Sequence, residues 1–183
     1  MRAHKKTCGT GRWWSRTRGL DRAVYNAYVE SLGPEAPRPQ ILAWANAEEG
    51  VCIGSRAVIS YGGLDTWTHV GWHEIENGGW NVENHALSWT LYGGHRGRVV
   101  LTEPGRLPEL FRERVAASIV LKKFVPVDGT RGVTIAGRRD LGESDPVISW
   151  HSTLGRGLTW QTEGAREVAE AALAQVKVEY DMG

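Results

Sequence analysis

From Gln40 to about Thr102 the chain alternates apolar and polar positions in short runs. The clearest is the stretch ALSWTLY at residues 86 to 92, where Leu87, Trp89 and Leu91 point one way and Ser88 and Thr90 the other. That period of two is the pattern of a half-buried antiparallel strand. Similar runs predict strands over residues 41–45, 51–53, 57–61, 67–70, 80–82 and 98–102. The segments AEEG, GGLD, ENGG, ENH and YGGHRG between them carry Gly, Asn or Asp where a backbone reverses, and predict the turns.

At Pro108 the period changes. Leu107, Leu110, Phe111, Val115, Ser118 and Ile119 fall on one face of a helix, with Pro108 suited to its first turn and Glu109 to its positive end. The β-branched run SIVLKKFVPV, the turn DGTRG and the segments VTIAG and PVISWH then predict further strands. Glu163 to Val178 read as an Ala-rich helix whose small-residue stripe (Ala165, Val168, Ala169, Ala172, Val176) suits close packing on a flat surface. Upstream, Leu20, Val24, Ala27, Tyr28 and Leu32 recur at helical spacing, Gly33 and Pro34 stop that helix, and GPEAPRP reads as a stiff extended linker. A meander of strands followed by a helix predicts a β-rich α+β fold: an antiparallel sandwich or partly open barrel with a packing helix, an extra strand layer and a C-terminal helix. Residues 1–39 form a basic leader, short helix and linker, and residues 40–183 the main domain with its strand-helix extension.

The 183 residues suffice for one domain with its own core. Two cysteines, Cys8 and Cys52, form no array and read as free thiols of a reducing cytoplasm. No apolar window approaches the roughly 18 residues of a spanning helix, and no signal peptide is recognisable, so a soluble cytoplasmic protein without a transmembrane segment is expected. Charge is uneven: residues 1–38 hold 8 Lys or Arg against 3 Asp or Glu, a balance of +5, which leaves −4 for the rest of a chain of net charge +1. Nine tryptophans are many for this length, and packing accounts for those at strand positions. The adjacent Trp13 and Trp14 are different, because neighbours on a strand cannot share one face.

His69, His73 and Glu74 stand at a spacing that on a helix would aim both imidazoles at one metal ion. THVGWHE is strand-like instead, which places residues i and i+4 about 13 Å apart, and no cysteine or aspartate completes a set. No metal and no cofactor is therefore expected. His85, His95 and His151 are scattered, Glu74, Glu76 and Glu83 fall near turns, and Arg138 and Arg139, with Arg131 nearby, read as a charged loop balanced by Asp140, Glu143 and Asp145. Neither CIGSRA nor HSTLGRG has the strand-turn-helix setting that activates a serine. The leader interleaves Lys5, Lys6, Arg12, Arg16 and Arg18 with Trp13 and Trp14, a pairing of cation and stacking surface suited to single-stranded nucleic acid or an anionic membrane face.

The segment HVGWHEIENGGWNVENHALSWTLYG resembles the middle of a bacterial pleckstrin-homology-like (PH-like) domain. LPELFRERVAASIVLKKFVPVDGTRGVTIAGRRD is similar to a group of small, uncharacterised actinobacterial proteins whose helix carries RERV. The resemblance covers roughly residues 40 to 180 and implies a PH-like sandwich capped by a helix, with no known activity. Phosphoinositide-binding members place a basic cluster in the loop joining their first two strands. Here that loop is NAEEG, with Glu48 and Glu49, so head-group recognition at that place is not expected.

The sequence thus points first to a non-enzymatic PH-like domain that binds a protein partner, since strand edges suit extended peptides and no catalytic constellation stands out. Two alternatives remain open. One is binding of nucleic acid or an anionic membrane surface through the leader residues Lys5, Lys6, Arg12, Trp13, Trp14, Arg16 and Arg18. The other is an enzyme whose site is assembled from His69, His73, Glu74 or His151 across distant strands.

Overall fold

The computed structural model describes residues 19 to 181. Seven strands follow one another: β1 (Ile41–Asn46), β2 (Val51–Ser55), β3 (Val58–Gly62) and β4 (Trp67–Gly71) form one antiparallel sheet, and β5 (Ile75–Asn81), β6 (Ala86–Leu91) and β7 (Arg96–Val100) a second. Helix α2 (Leu107–Ala117) then leads into a third antiparallel sheet of β8 (Ile119–Asp128), β9 (Arg131–Arg138) and β10 (Ser149–Leu154), with β9 in the middle. Helix α3 (Ala165–Asp181) ends the described chain, and α1 (Arg22–Ser31) precedes the first strand. The result is a sandwich-like α+β fold of unclosed antiparallel sheets with an added layer and a C-terminal helix.

One core joins the first two sheets and α2. Cys52 and Ile59 from the first sheet meet Leu87 and Trp89 from the second, and Leu107, Leu110 and Phe111 of α2 fill the space between. Trp72, wholly buried in the short helical turn between β4 and β5, lies edge-on to Phe111 at 5.9 Å between ring centres and donates its indole N–H to Ser55 O at 3.1 Å. The sheets touch at one corner, where Ala47 bridges Leu101 and the Thr102 N–H donates to Asn46 O at 2.9 Å.

All five residues of β2 are buried because both its faces are covered. Cys52 points into the sandwich, while Val51 and Ile53 lie beneath α1. The helix is capped by Asp21, whose Oδ1 accepts from Ala23 N at 2.8 Å and Val24 N at 3.3 Å. It anchors through Tyr28, fully buried and 5.1 Å from the Trp67 ring. After it the chain bends through a turn, Ala36 N–H donating to Gly33 O, whereas the prolines suggest an extended segment throughout; Gly33, at φ 95°, supplies the reversal.

The segment ENGG is not a turn. It lies inside β5, which runs from Ile75 rather than from Trp80 and carries a bulge between Ile75 and Asn77. Gly78 is there for packing: a Cβ on it would lie 2.7 Å from Ser88 O and 2.8 Å from Phe111 Cζ. Likewise β7 begins at Arg96, before Arg98, because Gly97 leaves room for the Trp89 indole lying over it.

In the added layer, Ala169, Ala172 and Val176 of α3 sit on Val133 and Ile135 of β9, the close approach of small residues that the stripe predicts. The loop reading of Arg138 is overturned. Arg138 ends β9 with 1% of its surface exposed. Its Nη1 donates to Val115 O and Ser118 Oγ, both at 2.9 Å, and its Nη2 to Ile75 O. The carbonyl end of α2 carries the negative pole of the helix, which compensates this buried cation where no carboxylate among the described residues does. Arg138 thereby ties the third sheet to both α2 and β5.

Candidate functional site

Two concave regions gather candidate residues, and they share no lining residue. The larger is a groove of about 670 Å³ between the outer edge of β5 and one face of α2. Strand β5 lends Gly78, Gly79 and Trp80, α2 lends Pro108, Phe111, Arg112 and Val115, and Ile119 closes one end. β5 pairs only with β6, on its inner side. Outside that pairing, no backbone hydrogen bond of residues 76 to 81 goes to another segment among the described residues. An antiparallel strand paired on one side leaves alternate N–H and C=O groups turned outward. The groove runs past this strand at Gly78, Gly79 and Trp80, and a Cβ added to Gly79 would meet no atom within 4 Å.

The walls of the groove are mainly apolar, and its floor is Phe111, which is held by Trp72 and Trp89 behind it. Glu109 at the rim is neutralised by Arg106 at 3.8 Å. Arg112, exposed on the same rim, makes no ion pair among the described residues.

The second region is a cavity of about 380 Å³ where the β6–β7 turn faces β10. It brings together His73 and Glu74 from the turn after β4, Tyr92 and His95 from the β6–β7 turn, and Ser149 and His151 from β10. The His151 ring stacks on Tyr92 with centres 3.7 Å apart and planes 7° from parallel, and Arg138 lies on Tyr92 with its Cζ 5.6 Å from the ring centre. His151 Nε2 is 3.2 Å from Ser149 Oγ, which in turn donates to Arg138 O. His73 Nδ1 is buried without a hydrogen-bond partner, 3.9 Å from Asp140 Oδ1. Burial, then the charges of Arg138 and His73, hold His151 below the ordinary imidazole range, with Glu76 opposing them.

His69 does not join this group. On β4 it is held by Ser60 Oγ at 2.8 Å from Nδ1 and Ser31 Oγ at 3.1 Å from Nε2, a clamp between α1 and the first sheet. Burial lowers its proton affinity, against the contact with Ser31. His69 and His73 therefore face different partners, and among the described residues no three His, Cys, Asp or Glu side chains converge to hold a metal. Cys52 is buried and free, and burial pushes its thiol up to about 12, which leaves it unreactive. Every leader residue singled out by the sequence, Lys5, Lys6, Arg12, Trp13, Trp14, Arg16 and Arg18, lies outside the described residues.

Sequence reasoning misses Tyr92, Asp140 and Ser149 and treats His95 and His151 as scattered. No local signal joins them, since they meet only when β10 crosses to the β6–β7 turn. The groove has one legible sign, the paired Gly78 and Gly79 beside an amphipathic helix. No family model matches the chain, and no curated protein or solved structure is significantly similar to it. No described helix is long and apolar enough to cross a membrane.

Proposed function

We propose that the chain is a non-enzymatic, PH-like module that binds a protein partner by accepting an extended segment of it as an added strand on β5. The observation that carries this reading is the juxtaposition of a strand edge that pairs on one side only among the described residues with an apolar groove lined by Gly78 and Gly79 and floored by Phe111. Main-chain hydrogen bonds to the edge supply affinity, and alternate side chains of the partner reach the groove, which supplies selectivity. The PH-like reading rests on the sequence resemblance, and sheets of four and three antiparallel strands sharing a core with α2 are compatible with it.

The second reading, an enzyme built from dispersed histidines, gains the cavity that gathers His73, Glu74 and His151. It lacks an activated pair. Ser149 and His151 are within reach of each other, yet among the described residues no carboxylate hydrogen-bonds to His151 to orient it as a base.

Selection from a displayed library of extended peptides tests the main reading. Binders should shift backbone amide resonances of residues 77 to 80, and Ala116→Trp and Ile119→Glu, both at exposed positions of the groove, should weaken them more than tenfold. Binders indifferent to both substitutions, or a library that yields none, would remove β5 as the docking edge.

A further inference from the structure

The segment between α1 and β1 carries Arg38 between two prolines, Pro37 and Pro39. Each proline ring fixes its own φ, and Pro39 also keeps Arg38 extended, so the backbone that bears this cation is stiff. It is tied to the β2–β3 turn, where the Arg56 N–H donates to Gln40 O at 3.1 Å. Between this segment, the end of α1 and that turn lies a cavity of about 390 Å³, which shares no lining residue with the groove or the histidine cavity. Its size is within the range of about 300–1,000 Å³ found for small-molecule sites.

Leu32, Pro37, Pro39, Ala57 and Val58 give the cavity apolar walls, and Arg38 and Arg56 are the charged residues of its lining. Neither arginine forms an ion pair among the described residues. Residues 1 to 18, 182 and 183 contain no Asp or Glu that could supply one. The acids closest in sequence to the lining, Glu30, Glu35, Asp140 and Glu143, stay outside it, and Asp140 Oδ1 instead accepts the Gly142 N–H at 2.7 Å and faces His73 at 3.9 Å. Arg56 Nε donates to Leu141 O at 3.1 Å, which sets the plane of the guanidinium and leaves both Nη groups without a partner among the described residues. Arg114 Nη2 donates to Arg56 O at 2.7 Å and brings another cation to the same turn, while Glu113 beside it is drawn to Arg106. Tyr28, a further lining residue, is wholly buried with its Oη unpartnered among the described residues, though the Ser55 and Ser60 hydroxyls stand near it. That group too can donate.

Apolar walls with two positioned, unneutralised cations call for a ligand that has an apolar body and one negative group. A carboxylate accepts the in-plane donors of a guanidinium as a matched pair. We propose that this cavity binds a small monocarboxylic acid with an apolar body, its carboxylate on Arg56 and Arg38 and its body against Leu32, Pro37 and Val58.

Octanoate is the probe, with octanol as the same body without the charge and acetate as the charge without the body. On the full chain, octanoate should bind at about 1 mM or tighter and shift backbone amide resonances of Arg38, Gln40 and residues 55 to 58. Octanol and acetate should each bind at least about tenfold more weakly. Arg38→Gln and Arg56→Gln, both at exposed positions, should each weaken octanoate at least about tenfold while retaining the far-ultraviolet circular dichroism of the parent. Ala36→Trp, which keeps both cations and fills the cavity from an exposed position of its lining, should abolish binding. Octanol bound as tightly as octanoate, affinity retained in both arginine variants, or no shift of these amides at about 10 mM octanoate would each overturn the proposal. Ala116→Trp, which obstructs the groove at β5, should leave octanoate affinity unchanged, so this test and the test of peptide binding fail separately.

Discussion

In the sandwich of β1–β7 and α2 the core is filled by large rings set against stripped backbone. Trp89 covers Gly97, Phe111 presses on Gly78, and Trp72 closes the end. The layer of β8–β10 and α3 is built the other way, with alanines and valines of the helix lying directly on β9 and one aromatic pair, Trp150 with Tyr180, at its margin. Large interlocking groups bury much area and fix one arrangement, and their removal leaves voids that the surroundings fill poorly. Small groups in a flat contact bury less per residue, but they permit no addition. The two regions are joined by Arg138, by the Tyr92–His151 stack, by the Arg56 Nε–H donated to Leu141 O, and by Leu141 itself, whose side chain is buried in the sandwich core.

This contrast sets the order of expected effects. Phe111→Ala removes the ring shared by Trp72, Trp89 and Gly78, and should cost about 3–5 kcal/mol in denaturant unfolding. A variant whose urea midpoint matched the parent would show that α2 does not complete the sandwich core. Arg138→Met keeps the volume and apolar stem but leaves Val115 O and Ile75 O without their charged donor, at a cost of about 2–3 kcal/mol. Loss of the near-ultraviolet signal of Tyr92 and Trp150 before the rest would mark separation of the layer from the sandwich. A gain in stability would mean that burying the guanidinium outweighs its hydrogen bonds.

In the flat contact the informative change is an addition. Ala172→Leu should destabilise by about 1–3 kcal/mol, since Ala172 is buried in the cluster that α3 forms with Val133 and Ile135 of β9. The same principle separates the two adjacent glycines of β5. Gly78→Ala forces a methyl against Ser88 O and Phe111, and should cost about 1–3 kcal/mol, whereas Gly79→Ala meets open space and should cost less than about 1 kcal/mol. Equal effects at both positions would mean that Phe111 yields to the methyl and that the floor of the groove is soft.

The same residues show what the sequence can disclose. Strand β6 is legible because Leu87, Trp89 and Leu91 alternate with polar positions, and α2 because its apolar residues recur at helical spacing after Pro108. Strand β5 is misjudged at its centre. Gly78 and Gly79 carry the signature of a turn, and only the approach of Phe111 and Trp89 from elsewhere makes glycine a requirement of the strand at Gly78. Arg138 reads with its acidic neighbours as a solvated loop, because nothing nearby in sequence reveals that its partners are the carbonyls of Ile75 and Val115. The histidine cavity is hidden for the same reason: His73 and His151 lie far apart along the chain and meet through a packing of two sheets that no local period encodes. The groove is half legible, since edge strands and an amphipathic helix are expected but their juxtaposition is not.

The smallest effect concerns the clamp between α1 and the first sheet. His69 is held on both ring nitrogens by Ser60 and Ser31, and burial lowers its proton affinity in the folded state. An unfolded chain takes up a proton at the ordinary value of about 6.5, so below that pH it binds more protons at this position than the folded chain does. Stability from His69 is therefore fully present above about pH 6.5 and is lost as the pH falls toward the lower folded value. Solvent screening at a half-buried ring keeps the loss below about 1 kcal/mol, a fall in Tm of about 2–4 °C for a chain of this size. His151, also held below the ordinary range, titrates in the same direction, so the test is a difference between variants. His69→Gln keeps two hydrogen-bonding atoms for the serines and removes the titration, and its Tm should fall less steeply than that of the parent between about pH 7 and pH 5. An unchanged acid slope would detach His69 from the pH response and leave His151, at the junction of sandwich and layer, to account for it.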